Sequence, residues 1–294
     1  MKIGETLIDD TFAEAFGMRY ARLVVTADDP YWLDAAVREV TGYSASVIAC
    51  DAEAGLERRL PADETPDGRV GAAVLLFGFS TAGLAKSVAN RTGQCLMTCP
   101  STAVYDGLPD GAERIALGKH LRFFGDGYQK SKLVDGQRFW RIPVMDGEFL
   151  VAETVGISKG VAGGNIILQA ASRGAGLAAA RRAAEALAEM PGVITPFPGG
   201  VVRSGSKVGS RYKGITASTS DAFCPTLQGR VESRLHPGVH CAYEIVIDGA
   251  DETTVGRAMA TAMRAVAGDG IVAISAGNYG GKLGKYQFAL RALL

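Results

Sequence analysis

In the run Cys241-Ala242-Tyr243-Glu244-Ile245-Val246-Ile247, the side chains alternate in the manner of a half-buried strand. Ala242, Glu244 and Val246 share one face, and Cys241, Tyr243, Ile245 and Ile247 share the other. A carboxyl set between alanine and valine loses water, which raises its pKa and suits it to general acid work near neutrality. The pattern fits equally well a glutamate on the wet face of an antiparallel sheet. Other carboxylates lack this setting: Glu185 and Glu189 fall on the polar side of a helical repeat.

Six glycine-rich polar loops hold the remaining candidates: residues 123–129, 161–165, 196–200, 204–210, 218–225 and 275–284. Glycine lets the backbone approach a ligand closely, and its N–H groups can hold carbonyl or carboxylate oxygens. From the first loop we take Phe123, Phe124, Asp126, Gly127, Tyr128 and Gln129 as substrate-binding candidates, and from the next two Asn165, Pro196, Phe197, Gly199 and Gly200. Ser206, Lys207, Ser210 and Asp221 come from the fourth and fifth, and Asn278, Gly280, Gly281 and Lys282 from the last. Any one loop alone is better explained by a tight turn; six together, mostly at strand ends of one half, favour a converging site. Each lysine alone fits a solvated surface as well as an anion site.

No G-x-x-x-x-G-K-[ST] loop, no G-x-G-x-x-G after a strand and no H-E-x-x-H pair occurs. Three histidines give little support to histidine chemistry, and His236 and His240 flank a Pro-Gly turn. Cys95 and Cys99 have no second pair, so no metal site is expected. Five cysteines are too few for a disulfide scaffold and indicate a reducing cytoplasm. No basic stretch precedes an apolar run at the N-terminus, and the apolar run at 71–79 is far short of the roughly 20 residues a membrane helix needs.

The elements that must position these residues occur in the same order twice. In the first half, a strand at 18–26 leads to a helix capped by Asp29-Pro30, with Leu33, Ala36, Val37 and Val40 on its apolar face. Strands are predicted at 44–50 and 70–77, a helix at 81–91 capped by Ser80, and a strand at 94–98. Turn signals at Asp135-Gly136 and Asp146-Gly147 mark strands over 133–155. In the second half, strands at 165–171, 193–196, 241–248 and 271–275 alternate with helices at 176–190 and after Asp251, the latter with Val255, Met259, Ala262, Met263 and Val266 inward. The order β-α-β-β-α-β defines an α+β fold of two ferredoxin-like (split βαβ) lobes, residues 1–155 with a β extension and 156–294 with a long insertion at 197–240. A loop of that length in a compact domain usually serves function.

Of 294 residues, 31 are Lys or Arg and 31 are Asp or Glu, so the formal net charge is zero and bulk electrostatics do not favour nucleic acid or an anionic membrane. Glycine is in excess, at 38 residues. It concentrates in the loops above, where it brings backbone close to a ligand.

Taken together, Thr11-Phe12-Ala13-Glu14-Ala15-Phe16 and residues 123–129, 162–165, 196–200, 206–210, 221–226 and 275–284 resemble formylmethanofuran:tetrahydromethanopterin formyltransferase, from near residue 10 to the C-terminus and in family order. The chain is more similar to the subunit of a formyltransferase/hydrolase complex in methylotrophic bacteria than to acidic archaeal members. The resemblance implies two ferredoxin-like lobes, a homotetramer built as a dimer of dimers, and a cytoplasmic one-carbon acyltransferase without metal or prosthetic group. Methanofuran and tetrahydromethanopterin would be carrier substrates, with a formyl group moving reversibly between the methanofuran amine and N5 of the pterin. It implies hydrolase-type subunits as further partners. By resemblance Glu244 is the catalytic glutamate, within the same Tyr-Glu-Ile-Val-Ile string. Tyr279 and Phe223 stand where archaeal relatives have Phe and Tyr, each a change of one hydroxyl. On this reading Asn278 or Ser206 and loop amides face the oxyanion, Lys207 and Lys282 hold the carriers' anionic tails, and Phe123, Phe124, Tyr128 and Phe197 pack their rings. The other readings are a non-catalytic coenzyme-binding or scaffold subunit of a larger one-carbon complex, and, disfavoured by the neutral charge, a pair of RNA-binding domains.

Overall fold

The computed structural model describes residues 1–134 and 136–294; Asp135, part of one turn signal, lies outside the described residues. The fold is a mixed α/β arrangement, and the chain forms two compact units, Met1–Gly17 with Val161–Leu294, and Met18–Gly160. Residues 1–17, at the start of the first sequence half, therefore belong by contact with the second.

In the unit Met18–Gly160 the sheet order is Glu53–Leu60, Val70–Gly78, the 18–27 part of the strand Phe12–Ala27, then Ala103–Asp106. Asp29 caps the helix Pro30–Val40 by accepting from the N–H groups of Tyr31 and Trp32, and Ser80 caps Thr81–Arg91 through Gly83 N–H at 3.1 Å. Leu33, Ala36, Val37 and Val40 are buried, as the helical spacing requires, against Leu23, Val25, Val74 and Leu76 of the sheet. Each of these leucine and valine side chains contributes roughly 1.5–3 kcal/mol by leaving water. Beyond them come Lys130–Val134, Gln137–Val144 and Gly147–Ala152, an antiparallel set in the predicted region.

Two predicted strands of this unit are corrected. Residues 44–50 form turns, and the strand runs over Glu53–Leu60. The buried Arg91 guanidinium donates to the carbonyls of Val40 at 2.7 Å, Gly42 at 2.9 Å and Tyr43 at 3.0 Å, and pairs with Asp51. The carbonyls leaving the helix thus turn inward to an arginine, and leaving one unpaired there would cost about 1–3 kcal/mol. Residues 94–98 continue the preceding helix as a π-turn over Thr92–Leu96. Thr98 and Thr102 hydroxyls take up the carbonyls of Gln94 and Leu96, and the strand is postponed to Ala103–Asp106.

In the other unit the order is Val193–Ile194, Cys241–Gly249, the 161–170 part of the strand Thr154–Ala170, then Ile271–Ser275. The helix Arg173–Ala188 starts three residues earlier than predicted because Ser172 caps it through Ala175 N–H. Its buried positions, Gly176, Ala179, Ala180, Ala183 and Leu187, are nearly all small, so it lies close to the sheet and to the helix Glu252–Val266. The latter, capped by Asp251, buries Val255, Met259, Ala262, Met263 and Val266. Among the described residues no helix is long and apolar enough to cross a membrane.

Candidate active site

Glu244 sits in the strand Cys241–Gly249, opposite Ile167, which is in turn opposite Ser275. Ile245 and Ile247 point into the helix-covered core, so Glu244 takes the other face of the sheet. That face is covered: Asn165, Ile167 and Gln169, which share it, are 6%, 4% and 0% exposed. The cover is the 197–240 insertion. Gln169 donates to Arg234 O at 3.3 Å and accepts from His236 N–H at 3.0 Å, and His236 is tied to Asp9 at 2.8 Å. Phe223 is buried beneath the Arg234 guanidinium, 5.0 Å from its ring centre. At the strand's outer edge Val202 bridges Glu244 through two backbone hydrogen bonds, of 2.8 and 3.1 Å.

Burial alone pushes the Glu244 carboxyl up to about 7. Among the described residues no cation offsets the loss of water, so the acid is divided between neutral and charged forms at neutral pH, the condition under which one group can both give and take a proton.

The 275–284 loop meets this carboxyl. Asn165 grips Gly277 at both ends, its Oδ1 accepting the Gly277 N–H at 2.6 Å and its Nδ2 donating to the Gly277 carbonyl at 3.1 Å. A Cβ added to Gly277 would lie 3.3 Å from Asn165 Oδ1 and 3.5 Å from Glu244 Oε1, so glycine keeps the backbone directly against the acid. Tyr279 packs against Phe16 with ring centres 6.2 Å apart. Burial, and then the charges of Glu244 and Glu14, raise its phenol.

Glu14 escaped the sequence reading of the site. It is 1% exposed and accepts backbone N–H bonds from Tyr279, from Gly281 at 2.8 Å, from Leu283 at 3.0 Å and from Gly284 at 2.9 Å. Burial pushes its carboxyl up, but the four donors outweigh that and hold it below the usual carboxylate range. The available signal was a strand glutamate whose same-face neighbours, Phe12 and Phe16, are apolar, as Ala242 and Val246 are for Glu244.

The remaining candidates divide. Asn165 is in the site as a brace. Asn278 is a brace too: its Nδ2 donates to Thr11 Oγ1 and Phe12 O, and its Oδ1 accepts from Gly280 N–H, leaving it no N–H for an oxyanion. Lys207 pairs with Asp221 across the insertion, and this lysine is the first cause of the lowered Asp221 carboxyl. Ser206 is half-buried beside that pair, while Ser210 accepts from Tyr212 N–H at 3.1 Å. Gly280 and Lys282 are exposed, and Gly281 is half-buried.

Pro196 is buried, Gly199 is exposed and Gly200 is buried near Ala184 of the long helix. Phe197 lines a groove of about 900 Å³ with Arg173, Leu177, Arg203 and Tyr243, and Tyr243 faces away from Glu244. Phe197 is thus not brought onto the acid's face of the strand.

Phe123, Phe124, Asp126, Gly127, Tyr128 and Gln129 belong to the unit Met18–Gly160. There Phe123, Phe124 and Tyr128 are 67%, 70% and 78% exposed. Asp126 and Gly127 both have positive φ, and Gln129 Oε1 accepts the Gly127 N–H at 2.9 Å. Among the described residues no group of three or more His, Cys, Asp or Glu side chains is placed to hold a metal ion.

A half-buried acid titrating near neutrality under backbone-rich loops is the equipment of an enzyme that moves protons during group transfer. Comparison with known proteins agrees. The family model described as formylmethanofuran-tetrahydromethanopterin formyltransferase matches residues 1–144, and one described as its proximal lobe matches residues 147–293. The formylmethanofuran–tetrahydromethanopterin formyltransferase of Methylobacillus flagellatus is 52% identical, with 100% of each chain covered. The solved enzyme of the same name from Methanosarcina barkeri superposes with a TM-score of 0.95 at 43% identity, over 100% of both chains. A chain of the formyltransferase/hydrolase complex from Methylorubrum extorquens, solved with methylofuran, gives a TM-score of 0.97 at 46% identity, covering 100% of this chain and 98% of that one. The chain belongs to the formylmethanofuran–tetrahydromethanopterin formyltransferase family.

Proposed function

We propose that this chain transfers a formyl group between methanofuran and N5 of tetrahydromethanopterin, with Glu244 as the acid–base group. The family match over nearly the whole chain supplies the reaction, and the neutral-range carboxyl of Glu244 carries the mechanism. The pterin nitrogen attacks the formyl carbon, its electron pair forming the new C–N bond and the carbonyl pair moving to oxygen. Collapse of the tetrahedral intermediate restores the carbonyl and breaks the bond to the methanofuran nitrogen. Glu244 gives its proton to that nitrogen and is re-protonated by the one leaving N5, so the cycle closes without another reagent. Juxtaposing the two carriers supplies much of the rate. With Asn278 engaged, the oxyanion falls to loop amides or Ser206, and the exposed Lys282 is left to a carrier's anionic tail. Supplied with formylmethanofuran and tetrahydromethanopterin, the recombinant protein is expected to produce the 5-formyl product, followed optically; no turnover by either the isolated protein or its assembled complex would overturn the assignment. No feature favours the scaffold reading.

Both units have the order strand, helix, two strands, helix, strand, with the first strand central and flanked by the third and fourth; this supports ferredoxin-like lobes within the sequence halves 1–155 and 156–294. A homotetramer is supported by the exposed strand Lys130–Val134, whose Leu133 is 65% exposed at a sheet edge. Light scattering is expected to return four chain masses; a single chain mass would overturn it. The M. extorquens relative supports hydrolase-type partners, checked by co-purification from native cells. Five free cysteines support the cytoplasm, checked by recovery of reduced thiols in the cytosolic fraction.

A further inference from the structure

We infer that Glu14 is a positioning residue for formyl transfer, shaping the 277–284 loop that lies on Glu244; this rests on the reading of Glu244 as the acid. Each Glu14 oxygen takes two backbone N–H groups: Oε2 those of Tyr279 and Gly281, and Oε1 those of Leu283 and Gly284. Those four amides belong to a segment outside any helix or strand, so the carboxylate serves as the template around which the segment is wound. Gly280 and Gly281 have positive φ, which lets successive N–H groups converge on one anion. The loop also lies flat on Glu14's own strand, since a Cβ added to Gly284 would come 2.8 Å from Ala15 O. At its other end Asn165 fixes Gly277 against Glu244. Between the two anchors lies Tyr279, whose phenol feels both carboxylates. Glu14 is sealed from solvent and so acts through the loop rather than on a substrate.

In Glu14→Gln, one of the two acceptor oxygens becomes an NH2 group facing two N–H donors, so half of the template is lost without a change of shape. Hydrogen exchange by mass spectrometry is expected to show faster exchange across 279–284 and little change elsewhere. The kcat is expected to fall about 10²-fold, the scale of an ångström-sized misplacement, with KM for both carriers changed far less. Loosening the loop readmits water to Glu244, so the inflection that Glu244 gives the kcat–pH profile should move to lower pH. A merely structural role would lower the melting temperature without moving that inflection. Should Glu14→Gln not fold, Glu14→Asp keeps the charge, withdraws the carboxylate by one methylene, and is expected to show the same three changes. Faster loop exchange with unchanged kcat, or a fall in kcat with wild-type loop exchange, would overturn the proposal. Glu244→Gln separates the two readings: wild-type turnover there removes Glu244 as the acid, whereas its loop exchange should stay wild-type in either case.

Discussion

Glu244→Gln is expected to lower kcat by about 10²–10⁴-fold, the range for removal of an acid–base group, while the protein stays folded. Glutamine has the volume of the acid and preserves the strand register with Ile167 and the backbone bridge to Val202. What disappears is the proton for the departing nitrogen. Because Glu244 has no cationic partner to strand among the described residues, the loss should fall on kcat rather than on folding, and KM for either carrier should change little. The wild-type kcat–pH profile should carry an inflection near 7 that is missing from the residual rate of the variant. Steady-state kinetics with both carriers, from pH 5 to pH 9, checks both points. Turnover within about threefold of wild type would remove Glu244 from the mechanism.

The same substitution is expected to stabilise the protein at alkaline pH. Burial raises the Glu244 carboxyl from 4.5 to about 7, so the fold prefers its neutral form. The stabilisation from keeping it neutral is fully present below about 4.5 and is lost as pH rises through about 7. By linkage, this amounts to about 3 kcal/mol between the two ends of that window. Glutamine has no such titration. The difference in unfolding free energy, variant minus wild type, should therefore rise by up to about 3 kcal/mol from pH 4 to pH 8. The lowered carboxyls of Glu14, Asp51 and Asp67 act in the opposite sense, losing their stabilisation as pH falls through their folded values. They are present in both proteins and cancel in the difference. Urea unfolding at a series of pH values measures it, and a flat difference would mean that Glu244 is not desolvated. A group kept at a cost in stability and needed for turnover fits the general trade between activity and stability.

Much of the fold is legible locally. The helices Pro30–Val40, Thr81–Arg91 and Glu252–Val266 begin at side chains that cap their own first turns, and their buried residues recur at three and four. The strand Cys241–Gly249 declares itself by alternation. The predicted strand at 94–98 failed because two threonine hydroxyls took carbonyls a sheet would have used, and the one at 44–50 because the Arg91 guanidinium gathers the carbonyls of Gly42 and Tyr43 just before it, where the chain leaves the helix in turns. Composition does not disclose such captures.

The candidate site divides along the same line. That Glu244 leaves the helix-covered core follows from a period of two, which is a property of the strand alone. Whether its face is wet or dry depends on the insertion, where Arg234 and His236 come back over Gln169 from 65 and 67 residues away. Lys207, Asn278 and Glu14 show the same limit. Their types make each a plausible ligand for a substrate, but Lys207 is paired with Asp221, Asn278 braces the strand at Phe12, and Glu14 is the one wound into the loop on the acid. The sequence by itself determined the capped helices and the strand that carries Glu244, because caps and periodicity act over a few residues; the run at 161–165, read as a glycine-rich loop, instead lies within the strand Thr154–Ala170. Only the tertiary structure decided which polar groups satisfy one another and which is left desolvated and available, because burial and partner choice are set by segments distant in sequence.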